Sequence, residues 1–204
     1  AFAALKNNGE VVTWGHTWYG GDSTDVVSRL SNHDNDSEHV VKIYSTAFAF
    51  AALKKDGKVV VWGNAWWGGS LTALNVDEKN VLKSGVEKIY SNNKAFAALK
   101  NGKVAVWGDA NRGGSLTPAE KLELNSDVEK IYSTSQAFAA LKSNGSVVTW
   151  GDDGYGGDST GVNFTDNTDG VPEEKDKVVK IYSTRAAFAA LKNNGEVVTW
   201  GHTW

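Results

Sequence analysis

The sequence predicts an all-β protein built from tandem antiparallel units, of the kind that form β-propeller blades. Three observations lead to this fold class. One motif recurs from end to end of the 204 residues, which is the signature of a repeat architecture. Glycine and asparagine divide the motif into short apolar runs, as in β-hairpins. The segments between the copies vary in length, whereas the motif itself does not.

The repeat is measured most easily on an isoleucine and the tryptophan that follows it. These residues stand at positions 43 and 62, 89 and 107, 131 and 150, and 181 and 200, so their separation is constant to within one position. The separation from a tryptophan to the next isoleucine is not constant, as positions 107 to 131 and 150 to 181 show. Surface loops tolerate insertions that paired strands do not, so the constant part is the packed unit. The markers are Trp14, Trp62, Trp107, Trp150 and Trp200, with Ile43, Ile89, Ile131 and Ile181.

Each copy contains a predicted β-hairpin. Runs such as Ala-Phe-Ala-Ala-Leu-Lys and Val-Val-Thr-Trp-Gly flank Asn-Gly or a longer glycine-containing turn, and both residue types supply the positive φ of tight turns. The turn at 101–102 is one residue shorter than the others, which predicts a two-residue type I′ turn there and three-residue turns with a left-handed glycine elsewhere. A helix is the competing interpretation of the first run, but the run is too short to form a stable one.

A third strand precedes each hairpin. Val-Val-Lys-Ile-Tyr-Ser alternates apolar and polar residues, which predicts a half-buried strand with Val41 and Ile43 on one face and Lys42 and Tyr44 on the other. A fourth, edge strand has candidates in the connectors. These candidates are residues 71–76 and 122–124, so the units are predicted to have three to four strands.

The copies form one predicted repeat array, with incomplete copies at both ends. Residues 1–18 and 187–204 are identical, whereas the other copies differ from one another. This pattern predicts a superrepeat that spans positions 1–186 and contains four units. Because position 1 is not methionine, we also expect a piece of a longer or processed chain. The copies span about residues 1–39, 40–85, 86–127, 128–177 and 178–204.

Composition narrows the function classes. The formal charge is −3 and the 21 basic residues are scattered singly without forming a stripe, which predicts no binding to nucleic acid. We predict no membrane insertion either, because the sequence has no run of about 18 apolar residues. The absence of cysteine excludes disulfides and thiolate metal sites. Abundant Asn, Asp, Ser, Thr and Gly with few Arg is typical of bacterial surface and secreted repeat proteins, so we expect an extracellular or cell-surface location.

The motif is similar to the RCC1-type repeat, named after the regulator of chromosome condensation. The similarity is carried by Ala52-Leu53, Gly57, Val61-Trp62-Gly63 and Gly68 and their equivalents, and it implies a β-propeller. Two elements depart from the family pattern: Ser-Thr and Phe replace Gly-x-x-His, and Gly-Gly-Asp-Ser or Gly-Gly-Ser-Leu replaces Gly-Gln-Leu-Gly. The founding member's nucleotide exchange on a small GTPase depends on loop residues without a match here. A small ring, an incomplete ring and an open array all remain possible.

Two groups of residues are candidates for a functional or structural role. The Trp-Gly pairs are interpreted as wedges between sheets, where a buried indole N–H finds a carbonyl. Aromatic residues in the loops after them are candidates for stacking on a ligand such as a sugar. The structural signature is Trp14, Gly15, Trp62, Gly63, Trp107, Gly108, Trp150, Gly151, Trp200 and Gly201, and the loop aromatics are Trp18, Trp66, Trp67, Tyr155 and Trp204.

Chemistry beyond packing has little support in the sequence. Asp22 and Asp158 share a position in Gly-Gly-Asp-Ser-Thr, but the EF-hand spacing is missing, and aspartate is common in turns. No nucleophile, base and orienting residue can be grouped. We therefore predict no enzymatic activity, cofactor or metal.

Three functions are consistent with these observations. The first is a structural module of a long surface fibre or adhesin that self-associates through repeat stacking, because units that stack without closing form filaments. The second is a closed RCC1-like propeller that binds a protein partner on its loop face. The third is a tectonin-like carbohydrate-binding propeller.

Overall fold

The computed structural model describes residues 1–30, 38–165 and 172–202. In these residues one two-stranded hairpin is followed by four three-stranded antiparallel sheets, which confirms the all-β prediction. Within them the first and last sheets share no strand, so the array is open. The strands are β1 (Phe2–Leu5), β2 (Val11–Trp14), β3 (Val40–Ser45), β4 (Ala49–Lys54), β5 (Val59–Gly63), β6 (Lys88–Ser91), β7 (Ala95–Lys100), β8 (Lys103–Gly108), β9 (Val128–Ser133), β10 (Ala137–Lys142), β11 (Val147–Gly151), β12 (Val178–Ser183), β13 (Ala187–Lys192) and β14 (Val197–Gly201).

We number the sheets as units 1 to 5, so that unit 1 is β1–β2, unit 2 is β3–β5, unit 3 is β6–β8, unit 4 is β9–β11 and unit 5 is β12–β14. The first strand of each complete unit is called inner, because β3, β6, β9 and β12 contact one another. The next two strands are called middle and outer. Short helices lie in three connectors, at α1 (Val27–Leu30), α2 (Val76–Val81) and α3 (Pro118–Glu123). In the described part of the chain no helix is long and apolar enough to cross a membrane.

The hairpin turns follow the predicted rule. Asn101 and Gly102 have φ of 48° and 73°, as a two-residue type I′ turn requires. In unit 2 the Lys54 N–H donates to the Lys58 carbonyl at 2.9 Å, and Gly57 has a left-handed φ of 79°. That is the three-residue turn, and both predictions are confirmed.

The prediction that Val41 and Ile43 share the buried face of the inner strand is wrong. Val41 is 50% exposed, whereas Val40 is 3% exposed. The cause is a shift of register between Val40 and Lys42, where β3 pairs with β4. Such a β-bulge inserts one extra residue and reverses the alternation. The apolar face is therefore formed by Val40 and Ile43.

The predicted fourth strand is also wrong, because residues 71–76 lead into α2 and residues 122–124 form the end of α3. Asn75 caps α2, and its Oδ1 accepts from the Glu78 N–H at 2.9 Å while Glu78 accepts from the Asn75 N–H at 3.0 Å. Thr117 caps α3 in the same manner, with proline at the first helical position. A reciprocal capping box of this kind satisfies the free N–H groups of a helix start, and proline there is preorganised for a helix.

Each sheet of a central unit is buried on both faces. Alternate residues of β4, namely Ala49, Ala51 and Leu53, pack on the next unit against Phe96 and Trp107. The intervening residues of β4 face the unit before. Alanine fills most of these positions because a small side chain lets neighbouring sheets approach closely. The same arrangement recurs at the other three junctions.

The tryptophan of each complete unit locks that unit to the one before. Trp107 is 1% exposed, and its Nε1–H donates to the Gly68 carbonyl at 3.1 Å. Its ring stacks on Phe96 with 5.1 Å between centroids. Gly68 has φ of 100°, and a Cβ on it would lie 2.5 Å from the Phe96 ring. We call this arrangement the Trp–Gly–Phe lock. It recurs as Trp62 to Gly20, Trp150 to Gly113 and Trp200 to Gly156.

A second link joins the units near the inner strands. The Ala47 N–H donates to the Asn93 carbonyl at 2.9 Å, the Asn93 N–H to the Ser135 carbonyl at 3.0 Å, and the Ser135 N–H to the Arg185 carbonyl at 2.9 Å. All four residues occupy one repeat position, just after the inner strand. The hydrogen bonds therefore form a ladder that repeats once per unit and fixes the step between units.

In units 2 and 4 the lysine that ends the middle strand donates a hydrogen bond to a backbone carbonyl of the preceding connector. Lys54 is 1% exposed, and its Nζ donates to the Arg29 carbonyl at 3.0 Å and to Glu38 Oε2 at 2.9 Å. Lys142 Nζ donates likewise to the Glu123 carbonyl at 2.7 Å. Carbonyls at the end of a helix have no partner within the helix, so these lysines supply one.

We predict that Trp107→Phe destabilises the protein by about 2–3 kcal/mol, because the Gly68 carbonyl loses its donor and part of the indole volume is left empty. Urea unfolding followed by circular dichroism measures this change. Trp14→Phe is the matched control: Trp14 is 50% exposed and should change the free energy of unfolding by less than about 0.5 kcal/mol. Equal losses of stability in the two variants would contradict the role assigned to the lock.

We predict that Lys54→Met destabilises the protein by about 3 kcal/mol, since it removes the buried cation that Glu38 and a helix-end carbonyl share. Lys6→Met is the control at the same repeat position. Lys6 pairs with Glu10 on the surface, where its side chain is 52% exposed, and exposed pairs contribute at most about 1 kcal/mol. A thermal melt of both variants tests the difference, and similar midpoints would refute it.

Candidate functional site

The candidate site is the end of the array where the outer strands leave their sheets, which we call the exit face. It consists of the exit turns that follow the outer strands and the short turns between inner and middle strands. The exit turns are 3-10 turns at Thr17–Tyr19, Ala65–Trp67, Ala110–Arg112 and Asp153–Tyr155. The inner turns occupy residues 46–48, 92–94, 134–136 and 184–186.

A capping side chain sets the shape of three of these exit turns. Asn64 Oδ1 accepts from the Trp66 N–H at 3.1 Å, and His16 Nδ1 accepts from the Trp18 N–H at 3.3 Å. Asp109 caps its turn in the same way, so histidine at this position performs the role of Asn or Asp. The middle residue of the turn is directed to solvent in both aromatic cases: Trp18 is 73% exposed and Trp66 is 81% exposed.

Behind these two tryptophans lies a continuous row of stacked rings. Tyr19 and Phe48 stack with 4.3 Å between centroids, and Phe48 and Trp67 with 4.0 Å. Lys94 Nζ closes the row 4.6 Å from the Trp67 ring centre. The row crosses units 1, 2 and 3. Offset stacking and a cation over an indole each contribute about 0.5–1.5 kcal/mol, so these side chains hold one another in place.

The exit face changes character in units 3 and 4. Arg112 forms an ion pair with Asp152 across the two exit turns. The positions of the exposed tryptophans are taken by Asn111 and Gly154. One half of the face is therefore aromatic, and the other half is polar and carries an ion pair.

The predicted loop aromatics are partly brought together. Trp18, Trp66 and Trp67 lie on the aromatic half of the exit face, but Trp67 is held between Phe48 and Lys94. Tyr155 packs partly against the core between units 4 and 5. Trp204 lies outside the described residues. That these aromatics contact a ligand stays a prediction.

The Trp-Gly pairs lie apart from the surface of the exit face. The tryptophans of units 2 to 5 are in the interior, whereas Trp14 of unit 1 is half-exposed. The glycine after each tryptophan ends the outer strand or follows it. Gly63 has φ of 102°, and a Cβ on it would lie 2.8 Å from the Phe48 carbonyl. This glycine therefore shapes the turn that presents Trp66.

Sequence reasoning missed three members of the stacked row. Tyr19, Phe48 and Lys94 were not among the candidates, although Tyr19 shares the repeat position of Trp67. Phe48 shares a position with Lys94, directly before the middle strand. An alignment of the copies would have shown an aromatic residue at each of these two repeat positions. It would not have shown that the two positions are in contact, because that contact depends on how two units stack.

The aspartates considered as possible cation ligands form turns. Asp22 Oδ1 accepts from the Thr24 hydroxyl at 2.5 Å and from the Thr24 N–H at 2.9 Å, and these hydrogen bonds lower the pKa of Asp22 below its usual value. Asp158 and Thr160 repeat the arrangement. In residues 1–30, 38–165 and 172–202 no three His, Cys, Asp or Glu side chains form a group that could hold a metal.

The inner strands carry a feature that the sequence prediction overlooked. Basic residues are scattered in the sequence, but the repeat brings one lysine to the same position on every inner strand, so the expectation that they form no row is wrong for these strands. Each ammonium lies 4.6–5.1 Å from the centre of a tyrosine ring. Glu87 and Glu129 precede two of these lysines and offset their charge. The pairs are Lys42 with Tyr44, Lys88 with Tyr90, Lys130 with Tyr132, and Lys180 with Tyr182.

Comparison with known proteins gives structural matches only. No family model matches the sequence, and no curated protein matches it. Prp20p of Saccharomyces cerevisiae, solved together with a study of its binding to Gsp1p and histones, is 18% identical, with a TM-score of 0.57 over 98% of this chain and 54% of its own. Yeast RCC1 (Prp20) bound to Kap60 is 17% identical, with a TM-score of 0.52 over 98% of this chain and 53% of its own.

Human WBSCR16 is also similar, at 20% identity, with a TM-score of 0.54 over 98% of this chain and 58% of its own. The chain therefore has the RCC1-type repeat fold, which confirms the predicted resemblance at the level of the fold. It spans about half the length of these proteins.

We predict that Phe48→Ala destabilises the protein by about 2 kcal/mol, because it removes the ring that joins Tyr19 to Trp67. The near-ultraviolet circular dichroism of the stacked rings should fall at the same time. Gln136→Ala, at the same repeat position but outside the stack, should leave both the unfolding midpoint and the spectrum nearly unchanged. An unaltered spectrum in Phe48→Ala would show that the row is not ordered in solution.

Proposed function

We propose that the chain is a protein-binding module of RCC1-type propeller architecture and that it recognises its partner with the aromatic half of the exit face. The observation that carries this proposal is the pair of highly exposed tryptophans, Trp18 and Trp66, backed by the rigid row Tyr19, Phe48, Trp67 and Lys94. The fold alone does not assign a partner.

Physical reasons favour this surface as a binding site. Tryptophan and tyrosine are enriched among the residues that dominate interface energies. Trp18 and Trp66 sit on capped turns, so less conformational freedom is lost on binding. Lys94 and the Arg112–Asp152 pair border the aromatic area, as a polar rim borders an interface core.

The structural comparisons support a role in binding proteins but do not identify the partner. Prp20p binds Gsp1p and histones, and yeast RCC1 was solved bound to Kap60, so proteins with this fold bind other proteins. Because the chain spans about half of those proteins, their activities are not carried over. We infer that this chain acts by binding rather than by catalysis.

Two other functions are alternatives that further experiments can distinguish. Exposed indole rings also stack on sugars, so a carbohydrate ligand is a second candidate for Trp18 and Trp66. The fibre or adhesin role, with an extracellular or cell-surface location, stays a prediction.

The proposal is tested by site-specific photocrosslinking in the source organism's extract. A photoreactive phenylalanine analogue at position 66 should capture a discrete protein, identified by mass spectrometry. The same analogue at Leu122, which is 78% exposed but lies on α3, is the matched control. Capture of the same protein from both positions, or from neither, would contradict a binding site on the exit face.

The captured protein then allows a quantitative measurement. We predict that Trp18→Ala with Trp66→Ala weakens its binding at least a hundredfold, since each substitution removes a large exposed ring. The thermal midpoint should stay within about 2 °C, because the two rings face solvent and add little to packing within the chain. Leu122→Ala should leave affinity unchanged. Retained protein binding in the double variant would refute the proposal, and loss of binding to a glycan array instead would favour the carbohydrate alternative.

A further inference from the structure

The outer strand of each complete unit leaves one edge of its sheet unpaired. Every such sheet ends at the outer strand, and across the residues that the structure describes no further strand pairs with that edge. The connectors cover only part of it, because they form short helices and turns. An unpaired edge presents a row of N–H and C=O groups that can pair with another strand. A cleft over this edge recurs in units 2 to 5, where it is lined by Val61, Val106, Thr149 and Thr199 respectively.

Unit 3 shows which backbone groups face the open edge. The Val104 N–H donates to the Leu124 carbonyl of the following connector at 3.0 Å, so it points away from β7. Residues two apart on an antiparallel strand direct their backbone groups to the same side, and the N–H and C=O of Val106 therefore face the cleft as well. Neither group bonds to another described residue, although Val106 is only 5% exposed. Buried backbone groups are nearly always paired, so the free groups of Val106 favour a partner that offers a backbone of its own.

The two faces of β8 differ in chemistry. Val106 packs into the core shared with unit 4, and Val104 and Leu116 lie against that core. Lys103 lies on the opposite face, because successive residues of a strand alternate, and it stands across from Lys100 of β7. All five residues line one cleft of about 520 Å³ between α2 and α3. A strand laid in this cleft meets apolar side chains on one side and lysines on the other.

Charge distinguishes the cleft over unit 3 from the other three. Its lysines outnumber its acidic residues, and Lys121 is already paired with Glu78 at 2.9 Å. The charges left over are those of Lys100, Lys103 and Asp77. Among the described lining residues, the cleft over unit 2 has two charges of each sign, and those over units 4 and 5 have acidic residues only. The cleft over unit 3 is thus the one that suits an acidic ligand.

We propose that the cleft over unit 3 binds an extended segment of a partner protein, which pairs with β8 at Val106 as a fourth strand and alternates apolar with acidic residues. In strand addition of this kind main-chain hydrogen bonds supply affinity, and contacts to alternate side chains supply specificity. The apolar side chains contact Val104 and Leu116, and the acidic side chains contact Lys100 and Lys103. An acidic segment is repelled by the cleft over unit 4, so the charges select unit 3.

The site lies in the middle of the array. Its parts are β8, the helix α2 before unit 3 and the helix α3 after it, so it does not depend on either end of the chain. It is also separate from the aromatic half of the exit face, because Trp18 and Trp66 do not line the cleft. The two proposed sites can therefore be tested one at a time.

Peptide selection tests the proposal. A phage-displayed library of random dodecapeptides is first depleted on immobilised protein that carries Val106→Pro and Lys103→Glu together, and the unbound phage are then selected on the unaltered chain. Proline removes the N–H that faces the open edge, which edge strands tolerate. Depletion discards peptides that bind elsewhere, the exit face included. The enriched peptides should alternate apolar and acidic residues, and failure to enrich peptides of this pattern would overturn the proposal.

The affinity of one enriched peptide, measured by fluorescence anisotropy on single variants, locates the site. Lys103→Glu should weaken binding about tenfold, because it replaces attraction with repulsion. Lys58→Glu, at the same repeat position in unit 2, is the matched control and should leave the affinity unchanged. Equal affinities of the two variants would contradict a site over unit 3. Since Lys103 is exposed, its substitution keeps the test valid even if Val106→Pro alters folding.

Hydrogen exchange tests the strand pairing itself. With the peptide bound, the Val106 amide should exchange with deuterium about tenfold more slowly, because its N–H then donates to a peptide carbonyl. The amide of Thr149, the equivalent residue of unit 4, should not change. A peptide that binds without protecting Val106 would refute strand addition. Trp66→Ala should alter none of these results, so failure of the exit-face proposal and failure of this one are distinguishable.

Discussion

The contact on which the structure depends is the Trp–Gly–Phe lock between neighbouring units. A sheet of three strands of four to six residues is marginal alone, so each unit needs its neighbours. The lock joins three groups from two units: an indole N–H, a glycine carbonyl and a phenyl ring. Because the glycine has no Cβ, its backbone lies directly on the ring, and the distance between sheets is fixed at that point.

The lock explains why only part of the repeat varies. Tryptophan, phenylalanine and exit glycine all belong to the constant segment or follow it closely, so the lock forms without the connectors, although buried connector residues such as Leu74 and Leu82 add to the core beside it. The connectors then need only to cover the outer edge and return the chain to the next inner strand. They do so with different lengths and different short helices. In units 2 and 4 the lysine at the end of the middle strand compensates for this freedom, because its long side chain reaches a carbonyl of the preceding connector.

The sequence predicted the parts of the fold that local chemistry decides. Turn length and glycine position determined the hairpin types, and the constant spacing identified the packed unit. The bulge at Val40 and Lys42 was not predictable from alternation, because an extra residue is visible only when β3 is paired with β4. The helices were misread for a different reason. Asn75 with Glu78, and Thr117 with Pro118 and Glu120, are capping signals in the sequence, and they outweigh the apolar residues that suggested strands.

The candidate site was predictable in its separate residues but not as a surface. Exposed loop aromatics follow from composition and position, and Trp18 and Trp66 were identified in that way. Their support was not, because the contact of Phe48 with Tyr19 joins a residue of unit 2 to a residue of unit 1. Such contacts depend on the step between units, which the lock and the backbone ladder set together.

The exit turn serves both the core and the surface, and this has a consequence for function. Trp66 points to solvent, while the carbonyl of Gly68, in the same turn, accepts the indole N–H of the next unit. The orientation of the exposed ring is therefore determined by the neighbouring sheet and not by the turn alone. An isolated unit would carry the same residues without the geometry. The binding proposed for the exit face therefore requires at least two adjacent units, because one unit alone does not fix the orientation of the ring.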